Sequence, residues 1–209
     1  MPAARLHLVR HGEVHNPDRV LYGRLPGFHL SDDGHGMARS AAEYLKRQGR
    51  PVRSLVASPL ERARESAAPF GEIFGLQPLI DARVIEPTNV FEGRRMRHAL
   101  RNPLNWWHLR TPALPSWGEA YAEVVARMDA AMRDAWNRTT SGDAVIVSHQ
   151  LPIWITHLAV AGLPLRHDPR RRRCELSSVT SFELSGDVWR EVDYAEPAAT
   201  AGAVDVGAV

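Results

Sequence analysis

Three apolar runs in this sequence end on polar residues whose types suit chemistry on an anion. The run "RLHLV" leads directly into Arg10 and His11. A second run, "VRSLVA", is followed by Ser58 and shortly afterwards by Arg62, and a third, "DAVIVS", leads into His149. Guanidinium groups pair with the oxygens of phosphates and carboxylates, and histidine serves as a nucleophile or proton carrier near neutral pH. Brought together, two arginines and two histidines would form a compact cationic site.

The ligand that suits such a site is a dianion with several oxygens, most simply a phosphoryl group. Phosphoryl transfer depends mainly on positioning and on neutralisation of charge, and the arginines would supply here the charge that Mg²⁺ supplies in many other enzymes. His7 and His11 share one side of the first predicted strand, which suggests a metal pair. Arg10 beside them would repel a cation, however, and no third ligand has convincing spacing. We therefore predict no metal.

The elements that must position these groups alternate between strand-like and helix-like patterns. Ser31 and Gly49 are the expected ends of a first helix. Ser58 and Glu61 are spaced as a capping box for a second helix, which Pro69 is expected to kink or shorten. Two further helices are predicted from "SWGEAYAEVVARMDAAMRDAWNR" and "PIWITHLAVAG". A short strand is predicted from "LQPLID", and a closing hairpin from "SSVTSFEL" and "VWREVDY".

This alternation predicts an α/β fold, a three-layer sandwich with a mainly parallel central sheet flanked by helices. The carboxyl ends of parallel strands meet at one edge of a sheet, so the polar groups at the strand ends are expected to share one crevice. The chain has 209 residues, enough for one well-formed core. We expect a single domain over residues 1–195, with a lid or insertion at about 86–117, and a disordered tail over 196–209.

Composition excludes several classes of protein. Lys and Arg number 26 against 24 for Asp and Glu, a net charge of +2 that gives no reason to expect a nucleic-acid partner. Cys174 is the only cysteine, so an intrachain disulfide is impossible. No apolar run is long enough to span a bilayer, and we expect a cytoplasmic protein without a membrane partner. The arginine run Arg170–Arg173 is expected to be a solvated loop, with contact to nucleic acid or to an acidic part of a substrate as the alternatives.

Three segments in order resemble a known family: "VRHGE", "SPLERARESA" and "VIVSHQLPI" are similar to the motifs of the histidine phosphatase superfamily, which has the phosphoglycerate mutase-like fold. The resemblance covers roughly Leu6 to Tyr194. It implies that His11 is phosphorylated as the nucleophile and that Glu86 is the general acid, with Glu92 as a rival. It also implies phosphate or substrate contacts for the following residues: Arg10, Arg62, His149, Asn16, Tyr22 and Arg24.

The sequence departs from the family pattern at a few positions. Asn16 lies one residue closer to the histidine than the corresponding asparagine of many relatives. Gln150 replaces the glycine that often follows the late histidine, and it is expected to narrow the pocket or to add a hydrogen bond. The tryptophans of "NWWHLR" are expected either to stack on the leaving group or to pack against the sheet.

The resemblance implies a metal-independent phosphomonoester hydrolase that works through phosphohistidine on a small phosphorylated metabolite, without a cofactor. One alternative is a phosphoglycerate-type phosphomutase, although "EGRRMRHALRN" lacks the Arg-Arg-His-Tyr-Gly segment of cofactor-dependent mutases. The alternative from another class is a non-catalytic phosphate-binding adaptor. An adaptor of this kind would lack one of the site residues, and this sequence has all of them. Homodimer formation is left open.

Overall fold

The central sheet is built from the apolar runs that end at the predicted site. The computed structural model describes residues 3–99, 101–109, 118–198, 203 and 205, and within them six strands form one sheet. The strands are β1 (Leu6–Arg10), β2 (Val52–Ala57), β3 (Leu79–Ile80), β4 (Asp143–Ser148), β5 (Val179–Ser185) and β6 (Val188–Ala195). The helices are α1 (Asp32–Arg47), α2 (Glu61–Phe74), α3 (Met96–Ala99), α4 (Tyr121–Arg138) and α5 (Gln150–Val160), with 3-10 turns at Ala82–Val84, Pro103–Leu109 and Pro169–Arg171.

The spatial order of the strands is β3-β2-β4-β1-β5-β6. Strands β3, β2, β4 and β1 are parallel neighbours, whereas β5 pairs antiparallel with both β1 and β6. The predicted mainly parallel sheet is therefore confirmed, with the closing hairpin as its antiparallel edge. In this order β1 and β4 are adjacent, so their carboxyl ends place Arg10 beside Ser148.

Alternate strand residues point to opposite faces of the sheet, and each face has its own hydrophobic cluster. Leu8 and Ile146 pack in the cluster that includes Met128 of α4 and Ile155 of α5. On the other face, their neighbours Val9 and Val147 pack in the cluster that includes α1 and α2 residues such as Ala41 and Phe70. The three-layer sandwich is confirmed, and it follows from the burial of β1 and β4 on both faces.

The structure overturns the capping prediction for α2 and shows no shortening of this helix at Pro69. The helix begins at Glu61 with Leu60 at its N-cap and no side-chain cap, so Ser58 and Glu61 do not form a capping box. Ser58 instead contacts the His149 ring at 2.7 Å. Pro69 lies inside the helix, which continues to Phe74, because buried residues on both sides of the proline pack against the sheet.

The predicted boundaries at 86–117 and 196–209 stay predictions. Residues 100 and 110–117 of the expected lid lie outside the described part of the chain, and Trp106 and Trp107 in its described part are mostly exposed. In the expected tail, Ala198 packs against Met37 in a small apolar cluster, and residues 199–202, 204 and 206–209 lie outside the description. Across the described segments, no helix is long and apolar enough to cross a bilayer.

A buried carboxylate ties the sheet together at the edge away from the predicted site. Asp143, the first residue of β4, accepts hydrogen bonds from Arg50 Nε at 2.6 Å, from the Arg5 backbone at 3.0 Å and from His7 Nε2 at 3.2 Å. Burial would raise the pKa of Asp143, but the hydrogen bonds from His7 and Arg50 outweigh it and lower the pKa to about 2. This network joins the beginnings of β1 and β4, which carry the site at their other ends.

We expect Asp143→Asn to lower the free energy of unfolding at pH 7 by about 2 kcal/mol, measured by urea denaturation. A carboxyl with a depressed pKa stabilises the fold above its unfolded pKa and loses that contribution as the pH falls through its folded pKa. The difference between wild type and variant should therefore narrow below about pH 4. Asp187→Asn, at a fully exposed carboxylate, is the control. An equal difference at pH 7 and pH 3 would contradict the argument.

Candidate active site

The turn after β1 depends on two glycines that touch. A Cβ atom on Gly12 would lie 2.3 Å from the carbonyl oxygen of Gly34, and one on Gly34 would lie 2.1 Å from that of Glu13. Gly12 is thus required for this close approach of backbones, whereas the sequence suggested only a sharp turn. The first turn of α1 can pack directly on the chain that follows β1, which fixes the position of His11.

One nitrogen of the buried His11 ring carries a proton, and the other holds a lone pair. Its Nδ1 lies 2.7 Å from the backbone oxygen of Gly12, and because a carbonyl only accepts, Nδ1 carries the proton. The lone pair is therefore on Nε2, which accepts a hydrogen bond from Arg62 Nε at 3.3 Å. Burial lowers the pKa of His11 well below its ordinary value, and the charges of Arg62 and Arg10 lower it further. The ring is neutral at neutral pH, the form that attacks phosphorus.

Arg10 and Arg62 are both fully buried beside His11. Arg62 donates from Nη2 to the Gly23 oxygen at 2.7 Å, and its guanidinium lies 4.6 Å from the centre of the Tyr22 ring. Arg10 donates from Nη1 to the Cys174 oxygen at 2.6 Å. In the described part of the protein, Arg62 Nη1 and Arg10 Nε have no hydrogen-bond partner. Two buried donors are thus available to an anion.

His149 stands next to His11, with 5.2 Å between the ring centres. Its Nε2 lies 2.7 Å from Ser58 Oγ, and that hydroxyl also accepts a long hydrogen bond from the Leu60 N–H. Ser58 Oγ can donate to Nε2, in which case the neutral His149 ring carries its proton on Nδ1. Among the described residues Nδ1 has no hydrogen-bond partner, so in that tautomer it is a third donor for an anion. Burial foremost, followed by Arg62, lowers the pKa of His149 well below its ordinary value.

Glu86 completes the group. Its Oε2 lies 3.8 Å from His149 Nδ1, and no described group bonds its buried Oε1. Burial raises the pKa of Glu86, although Arg62 first and then other arginines oppose the shift. Glu92, the rival acid, accepts hydrogen bonds from the backbone N–H groups of Arg24 and Asn89 at 3.1 and 3.2 Å. The geometry therefore favours Glu86, whose protonated form is stabilised next to the histidines.

The other predicted contact residues lie at different distances from this centre. Tyr22 is buried with its ring centre 6.4 Å from that of His11, and burial raises its pKa to about 12. Arg24 donates from Nε to the Glu86 backbone oxygen at 2.5 Å and from Nη2 to Glu119 at 3.3 Å. Asn16 uses both ends of its amide on the Val20 backbone. The structure thus brings Tyr22 and Arg24 to the site, and the substrate contacts of these residues stay predictions.

Sequence reasoning missed two residues at the site. The Asp205 carboxylate accepts hydrogen bonds from Nη2 and Nη1 of Arg10 at 2.6 and 2.8 Å. The one sequence signal for it is an acid in a mostly apolar part of the expected tail. Arg172 is 8% exposed, so the expectation of a solvated loop is wrong for this member of the arginine run. No sequence signal distinguishes Arg172 from its neighbours, because its burial comes from long-range packing.

Within the described ranges, no group of three His, Cys, Asp or Glu side chains is placed to hold a metal ion. The charge that could face an anion comes from arginines. Two buried guanidinium donors, a neutral imidazole lone pair and a carboxyl with a raised pKa can together bind a phosphoryl group, attack it and protonate its leaving oxygen.

Known proteins share this architecture. The family described as Histidine phosphatase superfamily (branch 1) matches residues 6–197. The uncharacterized protein Rv0525 of Mycobacterium tuberculosis is 48% identical over 198 residues, which are 93% of this chain and 97% of that protein. The probable phosphoglycerate mutase GpmB of Photorhabdus laumondii is 28% identical, over 88% of this chain and 87% of that protein. The solved structure of mycobacterial glucosyl-3-phosphoglycerate phosphatase Rv2419c is 26% identical, with a TM-score of 0.72 over 90% of this chain and 96% of that one.

The contact between Asp205 and Arg10 predicts competition with phosphate. Because a phosphoryl group needs the same guanidinium, Asp205→Asn should tighten the binding of inorganic phosphate by about three- to tenfold, measured by titration calorimetry. Asp187→Asn removes an exposed acid elsewhere and serves as the matched control. Unchanged or weaker phosphate binding by the Asp205 variant would show that its carboxylate does not compete.

Proposed function

This chain belongs to branch 1 of the histidine phosphatase superfamily, and we propose that it is a metal-independent phosphomonoester hydrolase acting through a phosphohistidine on a small phosphorylated metabolite. One observation carries the proposal: the hydrogen bond from His11 Nδ1 to the Gly12 oxygen puts the ring's lone pair on Nε2, where it faces the buried guanidinium of Arg62. A phosphoryl group bound by Arg10 and Arg62 would place its phosphorus against that lone pair.

In the first step, His11 Nε2 forms a bond to phosphorus while the bond from phosphorus to the ester oxygen breaks. The carboxyl proton of Glu86 passes to the leaving oxygen, which departs as an alcohol. Nδ1 keeps its proton, and the Gly12 oxygen stabilises the positive charge that the ring acquires. Arg62 Nη1, Arg10 Nε and His149 Nδ1 supply donors to the phosphoryl oxygens, where the transition state concentrates negative charge.

In the second step, water attacks the phosphohistidine. The Glu86 carboxylate takes a proton from the water, the bond from phosphorus to nitrogen breaks, and inorganic phosphate leaves with His11 neutral again. Both enzyme groups have returned to their starting protonation states. The raised pKa of Glu86 supports both roles, since a stronger acid would be a poor base for water.

The alternative within the family is a phosphomutase, in which the phosphohistidine returns its phosphate to a product hydroxyl rather than to water. The likeness to GpmB supports it, and the likeness to the glucosyl-3-phosphoglycerate phosphatase supports the hydrolase. The absence of the Arg-Arg-His-Tyr-Gly segment from 92–102 favours the hydrolase. A non-catalytic adaptor is disfavoured because nucleophile, phosphate donors and acid are all present in one buried group.

We expect the wild type to release phosphate from a phosphomonoester in the presence of EDTA, and His11→Ala to lose at least about 1000-fold in kcat. His15→Ala, at an exposed histidine nearby in sequence, should keep its activity. Acid quenching during turnover should trap an acid-labile phosphoenzyme in the wild type alone. Activity lost to EDTA, or retained in His11→Ala, would refute the mechanism. Phosphoenzyme without phosphate release to water would favour the mutase.

The role of Glu86 predicts a dependence on the leaving group. Glu86→Gln should lower kcat/KM about 100-fold or more for glycerol 3-phosphate, and far less for p-nitrophenyl phosphate, whose leaving group needs no proton. Glu92→Gln is the matched control and should affect both esters alike. Equal losses on the two esters in Glu86→Gln would remove the assignment of Glu86 as acid.

The pH profile follows from the same pair of groups. A raised pKa keeps Glu86 protonated to higher pH, and a lowered pKa keeps His11 neutral to lower pH. The kcat/KM for glycerol 3-phosphate should therefore fall as the pH rises through the pKa of Glu86. That descending limb should be absent in Glu86→Gln, and its persistence there would assign the limb to another group.

A further inference from the structure

We propose that Glu119 is a positioning residue for the general acid Glu86, because its carboxylate aligns two arginines that hold the backbone carrying Glu86. This inference rests on the proposed hydrolysis of phosphomonoesters, in which Glu86 protonates the leaving oxygen. Glu119 would affect the reaction through Glu86 alone, whereas Arg10 and Arg62 would bind the phosphoryl group itself.

The backbone that carries Glu86 has no regular structure of its own. The 3-10 turn Ala82–Val84 ends two residues before it, and residues 86–88 belong to no helix or strand. Ser148 Oγ donates to the Val84 oxygen at 2.7 Å, which ties the end of that turn to the end of β4. Beyond this point, the position of the acid depends on side chains that hydrogen-bond to its backbone, since no helix or strand pairing fixes it.

Two arginines hydrogen-bond to this backbone. Arg24 donates from Nε to the Glu86 oxygen, and Arg127 of α4 donates from Nη1 to the Arg83 oxygen, each at 2.5 Å. These carbonyls lie three residues apart, one in the acid itself and one in the turn that leads to it. Because a peptide group is planar, a fixed carbonyl direction also limits the directions of the neighbouring Cα–Cβ bonds. The two guanidinium groups therefore help to set the direction of the Glu86 side chain.

One carboxylate orients both guanidinium groups. Glu119 accepts hydrogen bonds from Arg127 Nε at 2.7 Å and Nη2 at 3.0 Å, and from Arg24 Nη2 at 3.3 Å. The two bonds from Arg127 fix the plane of its guanidinium, as forked pairs of this kind do. The Glu119 side chain is 16% exposed, so water screens these pairs less than it screens ion pairs on the surface. Without the carboxylate, two neighbouring positive charges would repel each other.

Glu119 is itself held by close backbone packing. Gly118 forms an antiparallel bridge with Asn89, and a Cβ atom on Gly118 would lie 2.1 Å from the Thr88 oxygen. Helix α4 begins two residues after Glu119. The carboxylate is therefore fixed between the loop that carries the acid and the helix that carries one of the arginines, where it reaches both guanidinium groups.

This role has a signature that general damage to the protein would not have. A displacement of about 1 Å at a catalytic site can cost about 100-fold in rate. A displaced Glu86 would slow only those esters whose leaving oxygen needs a proton, and p-nitrophenolate leaves without one. A disturbed fold or a disturbed phosphoryl site would slow both kinds of ester.

The test compares glycerol 3-phosphate with p-nitrophenyl phosphate in Glu119→Gln. The kcat/KM for glycerol 3-phosphate should fall by about 10- to 100-fold, and that for p-nitrophenyl phosphate by less than about threefold. Glu123→Gln, at an exposed glutamate in the first turn of α4, is the matched control and should change neither value. Equal losses on the two esters in Glu119→Gln would overturn the proposal.

A double variant shows whether Glu119 acts through Glu86. If it does, Glu86→Gln/Glu119→Gln should stay within about threefold of Glu86→Gln on glycerol 3-phosphate, because the acid is already lost. A further loss as large as that in Glu119→Gln alone would show an independent effect and would overturn the proposal. Arg127→Gln should show the same selective loss as Glu119→Gln, and it decides the question where Glu119→Gln does not fold.

Failure of the proposed function is a separate outcome. If the wild type releases phosphate from neither ester, hydrolysis is refuted, and the role of Glu119 in it is refuted as well. If the wild type is active and Glu119→Gln matches it on both esters, the positioning role alone is refuted and the proposed function stands.

Discussion

Two guanidinium ions without access to water, Arg10 and Arg62, impose the main constraint on this molecule. Burying such an ion costs at least several kcal/mol unless hydrogen bonds or opposite charges surround it. The fold provides these partners from the ends of several elements: the Cys174 and Gly23 carbonyls, the face of the Tyr22 ring and the Asp205 carboxylate. Donor atoms of both arginines are nevertheless left for a ligand. The cost of this arrangement is compensated by the sheet and its two hydrophobic clusters, so that an anion meets donors already in place.

The same burial acts in opposite directions on the pKa values of His11 and Glu86. A medium of low dielectric constant disfavours the charged form of every group, which lowers the pKa of His11 and raises that of Glu86. The arginines act with burial on His11 and against it on Glu86. The pKa of Glu86 therefore reflects two opposing effects, burial and the arginine charges, and it depends on how closely each arginine approaches the carboxyl. Such opposite shifts in neighbouring groups are the arrangement that acid–base catalysis at one centre requires.

Much of this could be predicted from the sequence because it follows from local pattern. Apolar runs that alternate with amphipathic helices predict the parallel sheet, and topology then brings the strand ends that carry His11 and His149 to one edge. Glu86 followed from the family resemblance, since the irregular segment around it has no periodicity. Ser58, Asp205 and Arg172 could not be predicted in their observed roles. Ser58 was expected to cap α2 and instead contacts His149, and the other two are placed by contacts between residues far apart in the chain.

This division between local and long-range determinants separates the residues at the strand ends from those in the connecting segments. Arg10, His11 and His149 lie at strand ends held by the core, where any displacement would disturb packing on both faces of the sheet. Arg172 belongs to a connecting segment, and its guanidinium donates to Gln150 and His167. Contacts of this kind can differ in a relative whose strand ends stay in place. A relative that retains the strand-end residues can therefore share the reaction and still differ in its substrate.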